Sequence, residues 1–456
     1  MINLEQIIAS LEEFYRAVFL GETPPQLNLP ILIMSLCFFA FIILSYTIEK
    51  LDFVAISLIS AFICALITGI MLQLGIETFI GHIEFEAILI ILSMSIITKI
   101  AEDSNILEYL AVKLFKISGG NQYRFFYFVC IITTLLAAII TDVVVVLIIA
   151  PVVIRLCHFL KIRSGTYLMG MTICINIGSI ITPFSSGENI IISTAFNLDT
   201  LYFIENFWIF SFALLFLTIY LLDRFYLRKE PKIEAQQKKL IIELIDTDTV
   251  VKNKKMFIIN SIGIIITIVL FALLPLLYIT AIVSAMILVL INRGFTKKST
   301  TDLLKDVEWE VIFFFISLYI VVGCLLEAGF QQLFAIEAGL HPILLGLIIV
   351  FIVSALSGAV ANTPTALIFI PIVQSIINAG YIPAPILFAF IIGINLGGNF
   401  LPQGAACDLM TLKIARDSGV ENLNYKRLLK NGSLFAFIHL GVSILYLIFL
   451  TIIKSL

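Results

Sequence analysis

Residues 395–408 read NLGGNFLPQGAACD and lie between two apolar runs, FAFIIGI at 388–394 and FAFIHLGVSILYLIFL at 435–450, whose composition suits a bilayer interior. Two Asn, three Gly, a Pro, a Gln and an Asp interrupt that context. Gly and Pro at such a depth break a helix, and the freed backbone is tolerated only where protein or a water-filled cavity encloses it. The stretch has a counterpart: residues 176–189 read NIGSIITPFSSGEN, which matches Asn176 to Asn395, Gly178 to Gly397, Pro183 to Pro402 and Asn189 to Asp408. Upstream lies a second matched pair, ITDVVVVLIIAPVV at 140–153 and VANTPTALIFIPIV at 360–373, aligning Asp142 with Asn362 and Pro151 with Pro371. Order and spacing recur at an offset of about 220 residues.

The rest of the chain sets the medium. Of its 456 residues 61% are hydrophobic and 13% charged, which no soluble domain of this length carries without a large exposed apolar surface. Runs of membrane-spanning length recur at 31–48, 54–75, 87–101, 166–197, 204–222, 257–274, 276–292, 310–328, 384–412 and 433–453. The expected fold class is an all-α polytopic membrane protein, with about ten spanning helices plus two re-entrant hairpins in two inverted-topology repeats, each with a broken helix. The seven cysteines all lie in or beside apolar runs, which argues for small core residues and against a disulfide framework. A formal net charge of −3 argues against nucleic acid as a partner.

Lys and Arg orient the bundle. They populate 102–124, 155–165, 293–309 and 413–430, and nine fall in 223–256, so these connections are expected in the cytoplasm. Segments 76–86, 329–341 and 378–383 have none and are expected outside, together with the N-terminus. Regions 125–156 and 342–377 then each enter and leave on one side, in opposite senses, as re-entrant hairpins. The resulting organisation has an interfacial amphipathic segment at 1–30, a first half at 31–222 with hairpin 125–156 and broken helix 166–197, a basic cytoplasmic linker at 223–256, and a second half at 257–456 with hairpin 342–377 and broken helix 384–412. Segment 1–30 has acids where a signal peptide has Lys or Arg.

Inverted repeats with broken helices meeting near the midplane are the sequence pattern of a secondary active transporter. A channel uses similar hairpins, but around one pore at a symmetric subunit interface. No nucleophile–base pair or metal-ligand cluster emerges, so no enzyme and no cofactor is expected, and no metal beyond a bound Na⁺. The chain has no G-x-x-x-x-G-K-[ST], hence no ATPase of its own.

The residues that carry this pattern resemble the ion transporter superfamily, which includes arsenite permeases, the sodium/proton antiporters related to them, citrate transporters and divalent anion/sodium symporters. SALSGAVANTPTALIFIPIV at 354–373 is similar to the Ser-Asn-Thr hairpin tip of the symporters, and TDVVVVLIIAPVV at 141–153 to the Asn-Asp hairpin of the arsenite permeases. ILEYLAVKLFKISGG at 106–120 is similar to the interfacial helix that precedes the first hairpin. The resemblance implies a transport domain of two hairpins and two broken helices, a scaffold that commonly dimerises, an elevator-like motion and, for arsenite permeases, a separate ATPase partner. It also implies Thr141 and Asp142 at the first hairpin tip, Asn362 and Thr363 at the second, and the broken-helix loops at Asn176–Asn189 and Asn395–Asp408. Three positions depart from the symporters: Asp142 and Asp408 replace Asn, and Ala361 replaces Ser.

An intramembrane carboxylate costs at least ~2.5 kcal/mol on insertion scales, so Asp142, Glu188 and Asp408 are candidate coupling sites for H⁺ or Na⁺, with Gly178 and Gly397 at the adjoining breaks. The competing reading is that these acids cap half-helix N-termini. Substrate-binding candidates are Thr141, Asn176, Ser185, Ser186, Asn189, Asn362, Thr363, Asn395, Asn399 and Gln403. Interhelical hydrogen bonding is the alternative for the Asn residues, and helix capping for the serines. The expected substrate is a small ion, most simply an inorganic or organic anion or oxyacid. The alternatives are Na⁺/H⁺ antiport and symport of a di- or tricarboxylate with Na⁺. The expected location is the plasma membrane.

Overall fold

The structure is a computed structural model that describes residues 27–47, 51–119, 121–230, 251–274, 276–296, 300–307, 309–330, 332 and 340–454. Most of the expected N-terminal amphipathic segment, 1–26, and the middle of the basic linker, 231–250, lie outside the described residues. Among the described residues every regular element is helical and no strand occurs. The chain divides into two compact units, one of residues 1–83 with 316–336 and one of residues 84–315 with 337–456.

In the first unit, α1 (Leu29–Thr47) packs on α2 (Phe53–Leu72), and the short α3 (Ile76–Gly81) follows. Asp52 starts α2 by accepting a hydrogen bond from the Ala55 N–H at 3.0 Å. After α2 the chain turns through Gln73 in the left-handed region, φ 56, and Phe79 fills the space beside Gly69. His82 Nε2 and Glu327 Oε1 stand 3.0 Å apart in the same unit.

The second unit begins with α4 (Phe85–Asp103), α5 (Ile106–Ile117), α6 (Gln122–Ala137), α7 (Asp142–Phe159), α8 (Gly165–Gly178), α9 (Gly187–Ala195) and α10 (Thr200–Phe225). It continues with α11 (Lys254–Leu273), α12 (Leu277–Thr296), α13 (Thr300–Lys305) and the start of α14 (Trp309–Glu327). The second set of matched elements is α15 (Pro342–Val360), α16 (Asn362–Asn378), α17 (Pro383–Gly397) and α18 (Ala406–Asp417), followed by α19 (Tyr425–Lys454).

Nine helices among the described residues are long and apolar enough to cross a membrane: α1, α2, α10, α11, α12, α14, α15, α19, and α17 with the turn after it. Rows of exposed Ile, Leu and Phe along α2, α11 and α19 suit contact with lipid. The chain is a multi-pass membrane protein. The expected span 87–101 corresponds to α4, which is more polar because it carries Glu86, Lys99, Glu102 and Asp103. The first arm of the expected hairpin 342–377, α15, is itself of spanning length.

The two expected broken helices break where Gly and Pro fall. Segment 166–197 forms α8 and α9 with 179–186 between them, and 384–412 forms α17 and α18 with 398–405 between them. Every residue of α8 is buried, and α17 is buried from Pro385 to its end, which explains their largely apolar composition upstream of the break.

Helices at the matched positions make similar contacts. Helix α6 lies on α8 and α15 on α17. A Cβ on Gly178 would run into the backbone of Thr134, and one on Gly397 into the backbone of Ser354. Neither glycine has a positive φ, so both are required by close helix approach and not by a special backbone conformation. At the hairpin ends the Asp142 N–H donates to the Ser185 carbonyl at 3.3 Å, and the Asn362 N–H to the Gly404 carbonyl at 3.1 Å. Both second arms carry an interior proline, Pro151 in α7 and Pro371 in α16.

Gly178→Ala is expected to destabilise the protein by about 1–3 kcal/mol through overpacking. Gly441→Ala, where a Cβ meets nothing within 4 Å, is the neutral control. Thermal melting of the detergent-solubilised variants checks both; equal melting temperatures would mean that α6 and α8 are not packed this closely.

Candidate functional site

The break between α8 and α9 meets the break between α17 and α18, and polar side chains of each loop reach into the other. Asn176, near the end of α8, donates through Nδ2 to Asn399 Oδ1 at 2.7 Å, and its own Oδ1 accepts from Cys407 Sγ at 3.0 Å. Its repeat partner Asn395 donates through Nδ2 to Asn189 Oδ1 at 2.9 Å, while its Oδ1 accepts from Ser179 Oγ at 3.3 Å. Asn189 Nδ2 in turn donates to the Ser179 carbonyl at 2.6 Å. The crossed amides tie residues more than 200 positions apart, and all of them are buried. Asn399 Nδ2 is a buried donor with no partner among the described residues, so this junction keeps an amide N–H available to an acceptor.

The three acids take distinct places. Asp408, 1% exposed, accepts from Thr172 Oγ1 at 2.6 Å, with Cys407 Sγ at 3.9 Å. Glu188 Oε1 accepts from Asn362 Nδ2 at 3.0 Å and Oε2 from Thr363 Oγ1 at 3.4 Å, which joins the start of α9 to the tip of the second hairpin. Among the described residues neither acid has a Lys or Arg in its hydrogen-bond set. Buried carboxyls among neutral partners either hold a proton or attract a cation. Asp142 stands half-buried in the first turn of α7, after the N-cap residue Thr141, and accepts from the adjacent Val143 N–H at 2.8 Å.

The hydroxyl candidates also separate. Ser186 caps α9 through the Asn189 N–H at 3.5 Å, and Ser185 Oγ donates to the Thr182 carbonyl at 2.7 Å and to the Ser179 carbonyl. Ser185 serves the loop's own backbone, and the Ser186 side chain also bonds Glu188. Thr141 stands half-buried before α7 with no capping bond from its side chain. Gln403 lies apart from the amide network and accepts from the Tyr425 hydroxyl at 2.7 Å. Ala361 precedes Asn362 with φ 132, a conformation that costs an L-residue of order 1–3 kcal/mol, at the hairpin tip that reaches Glu188.

Four participants were not singled out from the sequence: Thr172, Ser179, Ser357 and Cys407. Thr172, Asn176 and Ser179 lie at i, i+4 and i+7, one face of an otherwise apolar helix end, and that stripe was the available signal. Ser357 Oγ bridges the Asn362 side chain at 2.6 Å and the Ile394 carbonyl at 2.7 Å, a role that only the folded second hairpin displays.

A polar junction enclosed by apolar helices suits a membrane transporter, and the comparisons with known proteins support the ion transporter superfamily. Residues 39–393 match the citrate transporter family, CitMHS, and the chain belongs to that family. It is 24% identical over 429 residues to an uncharacterised transporter of Mycobacterium tuberculosis, covering 91% of this chain and 98% of that one. It is 24% identical over 385 residues to a 46 kDa membrane protein of Mycobacterium leprae, with 81% and 88% covered. An arsenical pump membrane protein of Escherichia coli is 26% identical over 147 residues, 31% of this chain and 34% of that one. Among solved structures, the YdaH transporter of Alcanivorax borkumensis superposes with a TM-score of 0.55 at 13% identity, covering 82% of this chain and 87% of that one, a likeness of fold.

Proposed function

We propose that the protein is a secondary active transporter that moves a small anion or oxyacid by alternating access, coupled to H⁺ or Na⁺. The observation that carries this reading is the crossed pair Asn176–Asn399 and Asn395–Asn189, in which each broken helix completes the other's loop. A ligand seated there touches both repeats at once, so its binding energy bears on the motion of one against the other. The unpartnered Asn399 Nδ2 offers a hydrogen bond to a substrate oxygen, and Asp408 and Glu188 are the coupling groups.

Two acids and no basic partner in this network disfavour a bare, multiply charged anion, unless sodium ions or protons accompany it. A weakly acidic oxyacid meets no such penalty. The family's name points to a tricarboxylate, and symport of a di- or tricarboxylate with Na⁺ is the second reading. Hairpins 125–156 and 342–377 act as re-entrant gates of opposite sense, the transport domain moves in an elevator-like fashion, and the chain works as a homodimer in the plasma membrane, with or without a separate ATPase. The N-terminus faces outside and the 223–256 linker the cytoplasm.

Proteoliposomes under imposed Na⁺ and H⁺ gradients test the reading, with arsenite, phosphate-like anions and di- and tricarboxylates offered in turn. Flux of one of these solutes that requires a gradient supports it. Dissipation of a pH gradient by Na⁺ alone, without any anion, replaces it with Na⁺/H⁺ antiport, and currents at channel rates would discard alternating access altogether.

A further inference from the structure

Segment 184–188, FSSGE, is where both hairpin tips arrive. The Asp142 N–H of the first tip donates to the Ser185 carbonyl at 3.3 Å, and Asn362 and Thr363 of the second donate to Glu188 at 3.0 and 3.4 Å. The same segment meets two helices that lie outside the matched elements, and both contacts are aromatic. Phe184 packs on Phe271 of α11 with ring centroids 4.5 Å apart. Phe315 of α14 lies against Gly187, where a Cβ would stand 2.9 Å from the ring Cζ and 3.6 Å from Thr363 Oγ1. Gly187 has no positive φ, so its missing side chain makes room for the ring.

Phe315 covers the acid without bonding to it. Glu188 is 6% exposed and Asn362 is buried, while Gly187 and Thr363, on either side of the ring's edge, are half-buried. A Phe ring withdraws at the cost of dispersion and apolar area only, and leaves no buried donor or acceptor unpaired. The second break is held differently. Ser433 of α19 donates to the Phe400 carbonyl at 2.6 Å, and Gly432 packs so closely that a Cβ there would stand 2.8 Å from the Asn399 carbonyl oxygen. Opening that side breaks a polar bond, whereas opening the first side separates apolar surfaces.

We propose that Phe315 is a gating residue: its ring closes the approach to Glu188 and the second hairpin tip, and has to leave Gly187 before an ion reaches the carboxyl. The stack of Phe184 on Phe271 holds the segment against α11 while the ring leaves. The gate rests for its role on the reading above, in which Glu188 is a coupling group.

The test uses the full-length protein in detergent with Thr363→Cys as a reporter, whose modification by a methanethiosulfonate reagent is followed by peptide mass spectrometry beside that of the native cysteines. Adding Phe315→Ala is expected to speed labelling at position 363 about tenfold, because one ring contact no longer favours the closed state. Gly187→Ala, which pushes the ring from the other side, is expected to speed it as well. Phe315→Leu, which keeps an apolar cover, and Phe313→Ala, on the exposed face of the same helix, are expected to label at the parent rate. Native Cys174, buried in α8, is expected to stay unlabelled throughout. Parent-rate labelling in both Phe315→Ala and Gly187→Ala overturns the proposal, and so does an equal acceleration at Cys174, which would make the ring ordinary packing. Flux assays of the wild type separate this from the transport reading. Faster labelling in a protein that moves no solute under any gradient keeps the gate and removes transport, while gradient-driven flux with parent-rate labelling in both variants keeps transport and removes the gate.

Discussion

Asp408→Asn is expected to reduce gradient-driven flux between about tenfold and a hundredfold while leaving the protein folded, because the substitution keeps shape and removes only the charge that hydrogen bonds of about 1.5–3 kcal/mol serve. The side chain is buried and receives the Thr172 hydroxyl at 2.6 Å, so an amide of the same size fits where it stands. Asp408 also lies in the first turn of α18, where an acid is favoured by the helix dipole alone. The two roles separate experimentally. A coupling group transmits its loss to the dependence of flux on the H⁺ or Na⁺ gradient, whereas a capping group transmits it to the melting temperature. Thr172→Val is expected to lower flux about tenfold, and Thr172→Ser to restore it, since only the hydroxyl matters to the carboxylate. Uptake by Asp408→Asn at the wild-type rate and with the wild-type gradient dependence would make the carboxylate structural.

Much of this arrangement was legible in the sequence, for a physical reason. Helix breaks inside hydrocarbon demand Gly, Pro and small polar residues at fixed places, and an internal duplication prints that demand twice, so Asn176 with Asn395 and Asp142 with Asn362 stand out against an apolar background. The breaks at 179–186 and 398–405 fall where those residues require. Partner choice was not legible. That Asn176 bonds Asn399 and not its own repeat partner depends on how two loops cross, which residue type and spacing do not encode. Nor does composition tell that Asp408 pairs with Thr172 and Glu188 with Asn362, residues more than 170 positions away. Gly178 and Gly397, read as helix breakers, turn out to be contact glycines against Thr134 and Ser354, because the period of the pattern locates a helix but not the distance to its neighbour.

Asn362→Asp is expected to be the most damaging single change at the junction. Asn362 Nδ2 donates to Glu188 Oε1 at 3.0 Å, and its Oδ1 accepts from Ser357 Oγ at 2.6 Å, so the amide is read from both sides, once as donor and once as acceptor. A carboxylate keeps the second contact and turns the first into an apposition of two acids in a buried setting. Losing a hydrogen bond to a charged group costs about 1.5–3 kcal/mol, and here repulsion replaces the bond. The hairpin tip should detach from α9, with transport abolished and melting lowered. Replacing Glu188 by Gln in the same chain reverses the polarity of the contact, because the Gln amide donates where Asn362 formerly did. The double variant is therefore expected to recover most of the lost stability, although not the coupling if Glu188 carries an ion. A cycle of wild type, the two single variants and the double, melted in detergent and assayed in proteoliposomes, measures the interaction directly. Additive losses would mean that Glu188 and Asn362 do not read each other, and the link from the start of α9 to the second hairpin tip would have to be sought elsewhere.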